Sequence, residues 1–208
     1  VKINWTGPVF LAVLPFLGFR LAKECKAGHK AWLITMSAVL ITGCFVMSYF
    51  TTGIPAVPYG ERLQRFVGWQ KLIQEVSQLE DTLRRERGEE IVVVGMDKHY
   101  TGSIAGFYRA HFAYEKGESR PLPTVGRHLF GEPSLSFQFW SKPDDFRHKT
   151  LLLLSRYEWD IREPIIGHHA HVEGPPAKII ASRGASQVGS LYYRIVHDYE
   201  PEEINHDG

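Results

Sequence analysis

Apolar positions run without a break from residue 31 to residue 49, AWLITMSAVLITGCFVMSY, and no Asp, Glu, Lys, Arg or His falls among them. A bilayer core of about 30 Å takes about 20 such residues as a helix. A soluble helix of this length normally keeps a polar face. The pattern therefore predicts a transmembrane helix over about 31–50, with Trp32, Tyr49 and Phe50 at the levels where interfacial rings anchor. An earlier apolar segment, PVFLAVLPFLGF, starts after Thr6, a helix-capping type, and carries Pro8 in its first turn and Pro15 inside. Counted over 3–21 it is long enough to span and predicts a further transmembrane helix. Counted from Pro8 alone it is short, and a re-entrant or interfacial segment is the lesser alternative.

Beyond the linker TTGIPAVPYG the pattern changes period. Residues 61–87 place Leu63, Phe66, Val67, Leu72, Ile73, Val76, Leu79 and Leu83 at helical spacing, and Gly88 is a ready C-cap. Residues 90–96, EIVVVGM, form a continuous β-branched run, the pattern of a strand buried on both faces of a parallel sheet. Residues 101–112 then predict a helix with Ile104, Phe107, Tyr108 and Phe112 inward. Residues 114–133 are loop-rich. LSFQFW at 135–140 alternates and predicts a strand, and TLLLLS at 150–155 a second buried one. Residues 178–182 and 191–197 predict a last, antiparallel pair joined through 183–190. Helix, strand, turn and helix in succession predict an α/β fold, Rossmann-like with a mixed sheet. The expected organisation is a membrane segment over 1–57, with two transmembrane helices, and a soluble domain over 58–208.

Charge fixes an orientation for this plan. The chain averages 23% charged residues and a net charge of +1, which gives no basis for nucleic-acid binding. Between the two apolar segments lies RLAKECKAGHK, where Arg20, Lys23, Lys26 and Lys30 oppose only Glu24. Short basic loops stay in the cytoplasm, so the soluble domain is expected on the extracytoplasmic side of a plasma or inner membrane. The chain opens on Val1 and enters an apolar segment at once, which suggests the C-terminal piece of a larger membrane protein. Cys25 and Cys44, the only cysteines, lie in the basic loop and the apolar run and do not read as a disulfide pair.

Chemistry-bearing residues gather at two places. Asp97, His99 and Tyr100 follow the EIVVVGM strand, where ligands of open α/β sheets lie. A plain turn with Asp97 or Thr101 capping the next helix explains them as well. The segment has neither a dinucleotide fingerprint nor a phosphate loop. Lys2, Asn4 and Trp5 stand at the outer membrane–water boundary. A lipid phosphate and a sugar would find a lysine, an amide and an indole there, although an aromatic anchor with a snorkelling lysine has the same composition. His168, His169 and His171, with Glu173 or Asp160 as a further ligand, form a candidate metal set that matches no zinc spacing. Gly167 and Gly174-Pro175-Pro176 frame it as a surface loop. No metal site and no cofactor are expected.

The run K-I-N-W-T-G-P, followed by an apolar helix, a short basic loop, a last helix and Gly68-Trp69, resembles the C-terminal end of polytopic GT-C glycosyltransferases. The family 39 type is the closest, related to dolichyl-phosphate-mannose-protein mannosyltransferases and the lipid A aminoarabinose transferase. Asp97, Tyr100 and Phe107-Tyr108, then Gly126, Gly131 and Phe137-Gln138-Phe139-Trp140, are similar to segments of that family's soluble domain. The likeness covers most of residues 1–156. It implies transfer of a sugar from a polyprenyl-phosphate donor, by direct displacement at the anomeric carbon, to an unnamed acceptor on the outer face. The catalytic carboxylate is implied upstream of this chain, so the chain itself would hold no catalytic residue. Lys2, Asn4 and Trp5 would rim the site and Lys2 would steady the leaving lipid phosphate. A membrane-anchored binding or assembly domain without chemistry of its own is the other expectation.

Overall fold

The structure, a computed structural model, describes residues 16, 18–20, 23, 28–52, 67–98, 100–117, 124–134, 137–183 and 186–201. The chain divides into two compact units, Val1–Pro55 and Ala56–Gly208.

In the first unit, helix α1 spans Gly28–Thr52. Among the described residues one helical stretch, Trp32–Tyr49, is long and apolar enough to cross a membrane, and none of it is buried. Leu40, Ile41, Phe45 and Met47 are all exposed. Of the expected earlier span over 3–21, residues 16 and 18–20 are described, and they are helical. A Cβ placed on Gly18 would meet the Trp32 ring at 3.6 Å, an ordinary contact distance, so the two segments lie close together there.

The second unit is a mixed α/β domain. Helix α2 spans Trp69–Arg87 and strand β1 Ile91–Gly95. Helix α3 spans Thr101–Glu115 and strand β2 Thr124–Gly126. After a 3₁₀ turn at Arg127–Phe130 comes the short helix α4, Phe137–Trp140. Strand β3 covers Thr150–Ser155, followed by a 3₁₀ turn at Glu158–Ile161 and helix α5, Glu163–Ile166. Strands β4, His171–Arg183, and β5, Ser186–His197, close the fold. The sheet order is β2-β1-β3-β5-β4. β1 is parallel to β2 and β3, whereas β5 is antiparallel to β3 and β4.

Side chains alternate across the sheet. One face carries Val92, Val94, Met96, Leu151, Leu153 and Val196, packed with Leu129, Phe130, Ile161, Ile166 and Tyr199. The other carries Ile91, Val93, Leu152 and Leu154, and α2 and α3 lie against that side. Between these helices Arg109 makes two hydrogen bonds to Glu80, at 2.7 and 3.1 Å, with both side chains 2% exposed. Arg109 also donates to the Thr124 hydroxyl of β2. Removing one partner of so buried a pair typically costs about 3–5 kcal/mol.

Several expectations are corrected. The helix predicted over 61–87 begins at Trp69; Gly68, at φ 81°, is its N-cap, and residues 59–66 lie outside the described set. The inward face of α3 is Thr101, Gly102, Ala105, Arg109 and Ala113, while Phe107 is 68% exposed. Tight packing selects small residues on that face. LSFQFW is not a strand at 137–140 but helix α4, held by Gln138 N–H to Ser134 O at 3.2 Å and Ser141 N–H to Phe137 O at 3.1 Å. The loop-rich stretch contains β2, whose three residues are too few to show a period. The last two strands run much further than predicted. The segment Gly174-Pro175-Pro176 lies inside β4, where the register shifts between Glu173 and Ala177 and Gly174 takes φ 66°.

Candidate functional site

In an open α/β sheet the crevice beyond the carboxyl ends of the parallel strands is the usual ligand position. Here β1 lies between its two parallel neighbours β2 and β3, which the chain adds on opposite sides of it, so their ends frame such a crevice.

β1 ends at Gly95. A Cβ there would stand 2.3 Å from the Gly102 backbone nitrogen, so only glycine lets strand and helix meet this closely. The turn between them is tied by Asp97. Its Oδ1 accepts the Tyr100 N–H and its Oδ2 the Thr101 N–H, each at 2.8 Å. The first N–H groups of α3, with the positive end of its dipole, are what an anion would seek. Asp97 already occupies that position. Thr101 is fully buried, and its hydroxyl has no hydrogen-bond partner among the described residues.

β3 ends at Ser155, also fully buried. Its hydroxyl donates to Asp160 Oδ2 at 2.5 Å and accepts the Tyr157 N–H at 3.1 Å. Partial burial pushes the Asp160 carboxyl above the usual carboxylate range and the Asp97 charge adds to this, while Ser155 and Arg127 oppose it. Tyr157 and Trp159 stack, with ring centroids 4.3 Å apart and planes 12° from parallel. Arg156 lies over the Trp69 ring at 5.6 Å, and Trp69 meets Tyr100 edge-on at 6.3 Å. Trp69 opens α2, so the start of that helix lies at the same edge of the sheet.

β2 ends beside Arg127 and His128. Arg127 donates to Pro133 O at 3.1 Å and pairs with Glu132 at 3.4 Å. His128 Nε2 is 3.2 Å from both the carbonyl and the hydroxyl of Ser141. The hydroxyl also donates to Phe137 O, which leaves the imidazole N–H to the Ser141 carbonyl. Burial holds His128 below its ordinary pKa, partly offset by the Ser141 and Gly126 carbonyls.

Of the residues singled out in the sequence, Asp97 and Tyr100 come together in this crevice. Lys2, Asn4, Trp5 and His99 lie outside the described residues. The histidine set does not converge. His171 opens β4 beside His197, and Glu173 is taken by Arg87 at 2.7 Å and His197 at 2.5 Å. Asp160 is at the opposite edge of the sheet. Among the described residues, no group of three His, Cys, Asp or Glu side chains is arranged to hold a metal ion. The residues that sequence reasoning missed are Ser155, Tyr157 and Trp159. Their signal was positional, since R-Y-E-W-D follows a strand buried on both faces. No family model matches the chain, no curated protein shows significant similarity to it, and no solved structure matches it significantly.

Proposed function

We propose that this chain is the C-terminal part of an integral-membrane glycosyltransferase that moves a sugar from a polyprenyl-phosphate-linked donor to an acceptor on the outer membrane face. The observation that carries the reading is the helix Trp32–Tyr49, apolar over its length and nowhere buried. Its apolar surface needs a solvent such as lipid, and the basic run before it sets a cytoplasmic side. Two spans, over about 3–21 and 31–50, then carry a Rossmann-like extracytoplasmic domain. The resemblance of K-I-N-W-T-G-P and of the later soluble motifs supplies the chemistry. An upstream carboxylate acts as base, and Lys2 steadies the leaving lipid phosphate electrostatically. Asn4 and Trp5 contribute to the rim, and Asp97, His99 and Tyr100 stand where the domain meets substrate.

The test uses the protein with its upstream segments, in membranes supplied with a radiolabelled polyprenyl-phosphate hexose. Transfer of label is expected, and Lys2→Ala lowers kcat about a hundredfold, the scale of losing one charge-stabilising group. Donor left intact by the intact protein defeats the reading, and unchanged transfer by Lys2→Ala removes the role of Lys2. A second reading, a membrane-anchored binding domain without chemistry, draws on the engagement of Asp97 as a helix cap. It predicts no donor turnover at all.

A further inference from the structure

The crevice at the carboxyl edge presents an aromatic shelf next to a carboxylate. Tyr157 covers one face of the Trp159 indole, yet Trp159 remains 57% exposed, so its other face is open. Stacking fixes the orientation of that open face before any ligand arrives, which lowers the ordering cost of binding. Asp160 is the next residue. Its Oδ2 is anchored by the buried Ser155 hydroxyl, which sits at the end of a fully buried strand. A flat apolar surface beside a fixed acceptor suits a ring with C–H groups on its face and hydroxyls on its rim.

The surrounding charge selects among such rings. Asp97 fills the N-terminus of α3 with its own carboxylate. Arg127 is engaged by Glu132 and by the Pro133 carbonyl, and Arg156 lies on Trp69. A phosphate entering here meets two carboxylates and a helix terminus that is already capped. A neutral hydroxylated ring meets only an acceptor and a stacking surface.

We propose that the soluble domain binds a neutral saccharide in this crevice, with one pyranose face on Trp159 and a hydroxyl donating to Asp160. The site then serves the acceptor, and the phosphate-bearing donor is bound elsewhere. The word acceptor rests on the glycosyl-transfer reading, whereas saccharide binding stands on the geometry of this edge alone.

The experiment uses the full chain in lipid nanodiscs free of glycosidic detergent. Saturation-transfer NMR follows a set of neutral hexose trisaccharides, and inorganic pyrophosphate is added as competitor. Saccharide signals are expected, undisturbed by pyrophosphate. Trp159→Ala weakens binding about tenfold, equivalent to about 1.4 kcal/mol. Trp159→Phe, which retains a stacking face, keeps most of the affinity. Asp160→Asn weakens it severalfold and reports independently if Trp159→Ala does not fold. Trp140→Ala, a 76% exposed control on α4, leaves binding unchanged. The proposal is overturned if no trisaccharide binds, if pyrophosphate displaces the sugar, or if Trp159→Ala binds like wild type. Saccharide binding without donor turnover defeats the glycosyltransferase reading and leaves this site standing. Donor turnover without saccharide binding at this edge does the reverse.

Discussion

At the amino edge of the sheet, where β1 and β3 begin, acids meet arginine, imidazole and hydroxyl groups of other side chains. Glu173 accepts from Arg87 and from His197, His148 lies 2.7 Å from Asp198, and Glu89 accepts from the Thr150 hydroxyl at 2.7 Å. At the carboxyl edge Asp97 and Asp160 meet backbone N–H groups, a serine hydroxyl and each other, among aromatic rings, while Arg127 pairs with Glu132. The first arrangement is a set of side-chain pairs on an exposed surface, and such pairs contribute little. The second ties Asp97 and Asp160 to backbone N–H and hydroxyl donors beside a tight glycine contact. A fold tolerates that arrangement where a ligand is to be met.

Four measurements test this contrast. Gly95→Ala pushes a methyl against the Gly102 backbone and is expected to cost roughly 3 kcal/mol, at the upper end for overpacking. Chemical denaturation reads it, and a loss under about 1 kcal/mol shows that the carboxyl edge yields more easily than its geometry indicates. Asp97→Ala strips two N–H groups of their acceptor and is expected to cost about 1–2 kcal/mol in the same assay. His128 is next. Its folded pKa lies below the ordinary value of 6.5, so the unfolded chain binds the proton more readily. Stability contributed by the neutral ring is complete above 6.5 and is lost as pH falls through the lowered value. His128→Gln flattens the decline of stability below pH 6.5, and an unaltered slope shows that the ring stays accessible to protons. The smallest effect is at the amino edge. Glu173→Ala is expected to cost less than about 1 kcal/mol, given its exposure. Hydrogen bonds from His197 and Arg87 hold Glu173 below the usual carboxylate range. Its contribution is therefore present above that range and fades only as pH falls through the lowered value. A loss comparable to that of Asp97→Ala would erase the contrast between the edges.

The sequence was legible where burial imposes a pattern. β1 and β3 lie between two strands and two covered faces, so IVVVG and the LLLL of 151–154 had to be apolar throughout. The buried side of α2 followed a period and its stop at Gly88 followed from left-handed geometry, here φ 70° with the N–H bonded to Arg84 O. Legibility failed where size mattered more than polarity. α3 approaches the sheet through Gly102 and Ala105 and leaves Phe107 outside, whereas hydrophobicity alone puts Phe107 inside. In α4 the residues Gln138, Phe139 and Trp140 are all exposed, so their alternation reflected no face. Asp97 and Tyr100 were found because strand ends carry ligands in this class of fold. Trp159 and Asp160 were harder to find, because the stacking and the hydroxyl contact join residues whose partnership only the 3₁₀ turn reveals.

β4 is one of the two edge strands of the sheet, and an edge strand is an invitation to self-association, since its outward amide row can template another chain. The register shift between Glu173 and Ala177 breaks that row, and the consecutive Pro175 and Pro176 take two donors out of the strand. Arg194 donates to the Gly174 carbonyl at 2.9 Å and to Ile161 O at 3.1 Å, which pins the irregularity in place. Lys178 follows, lying over the Tyr192 ring at 5.1 Å. The kink thus protects the domain against fibril-like stacking, a safeguard of particular value if many copies are crowded onto one membrane surface.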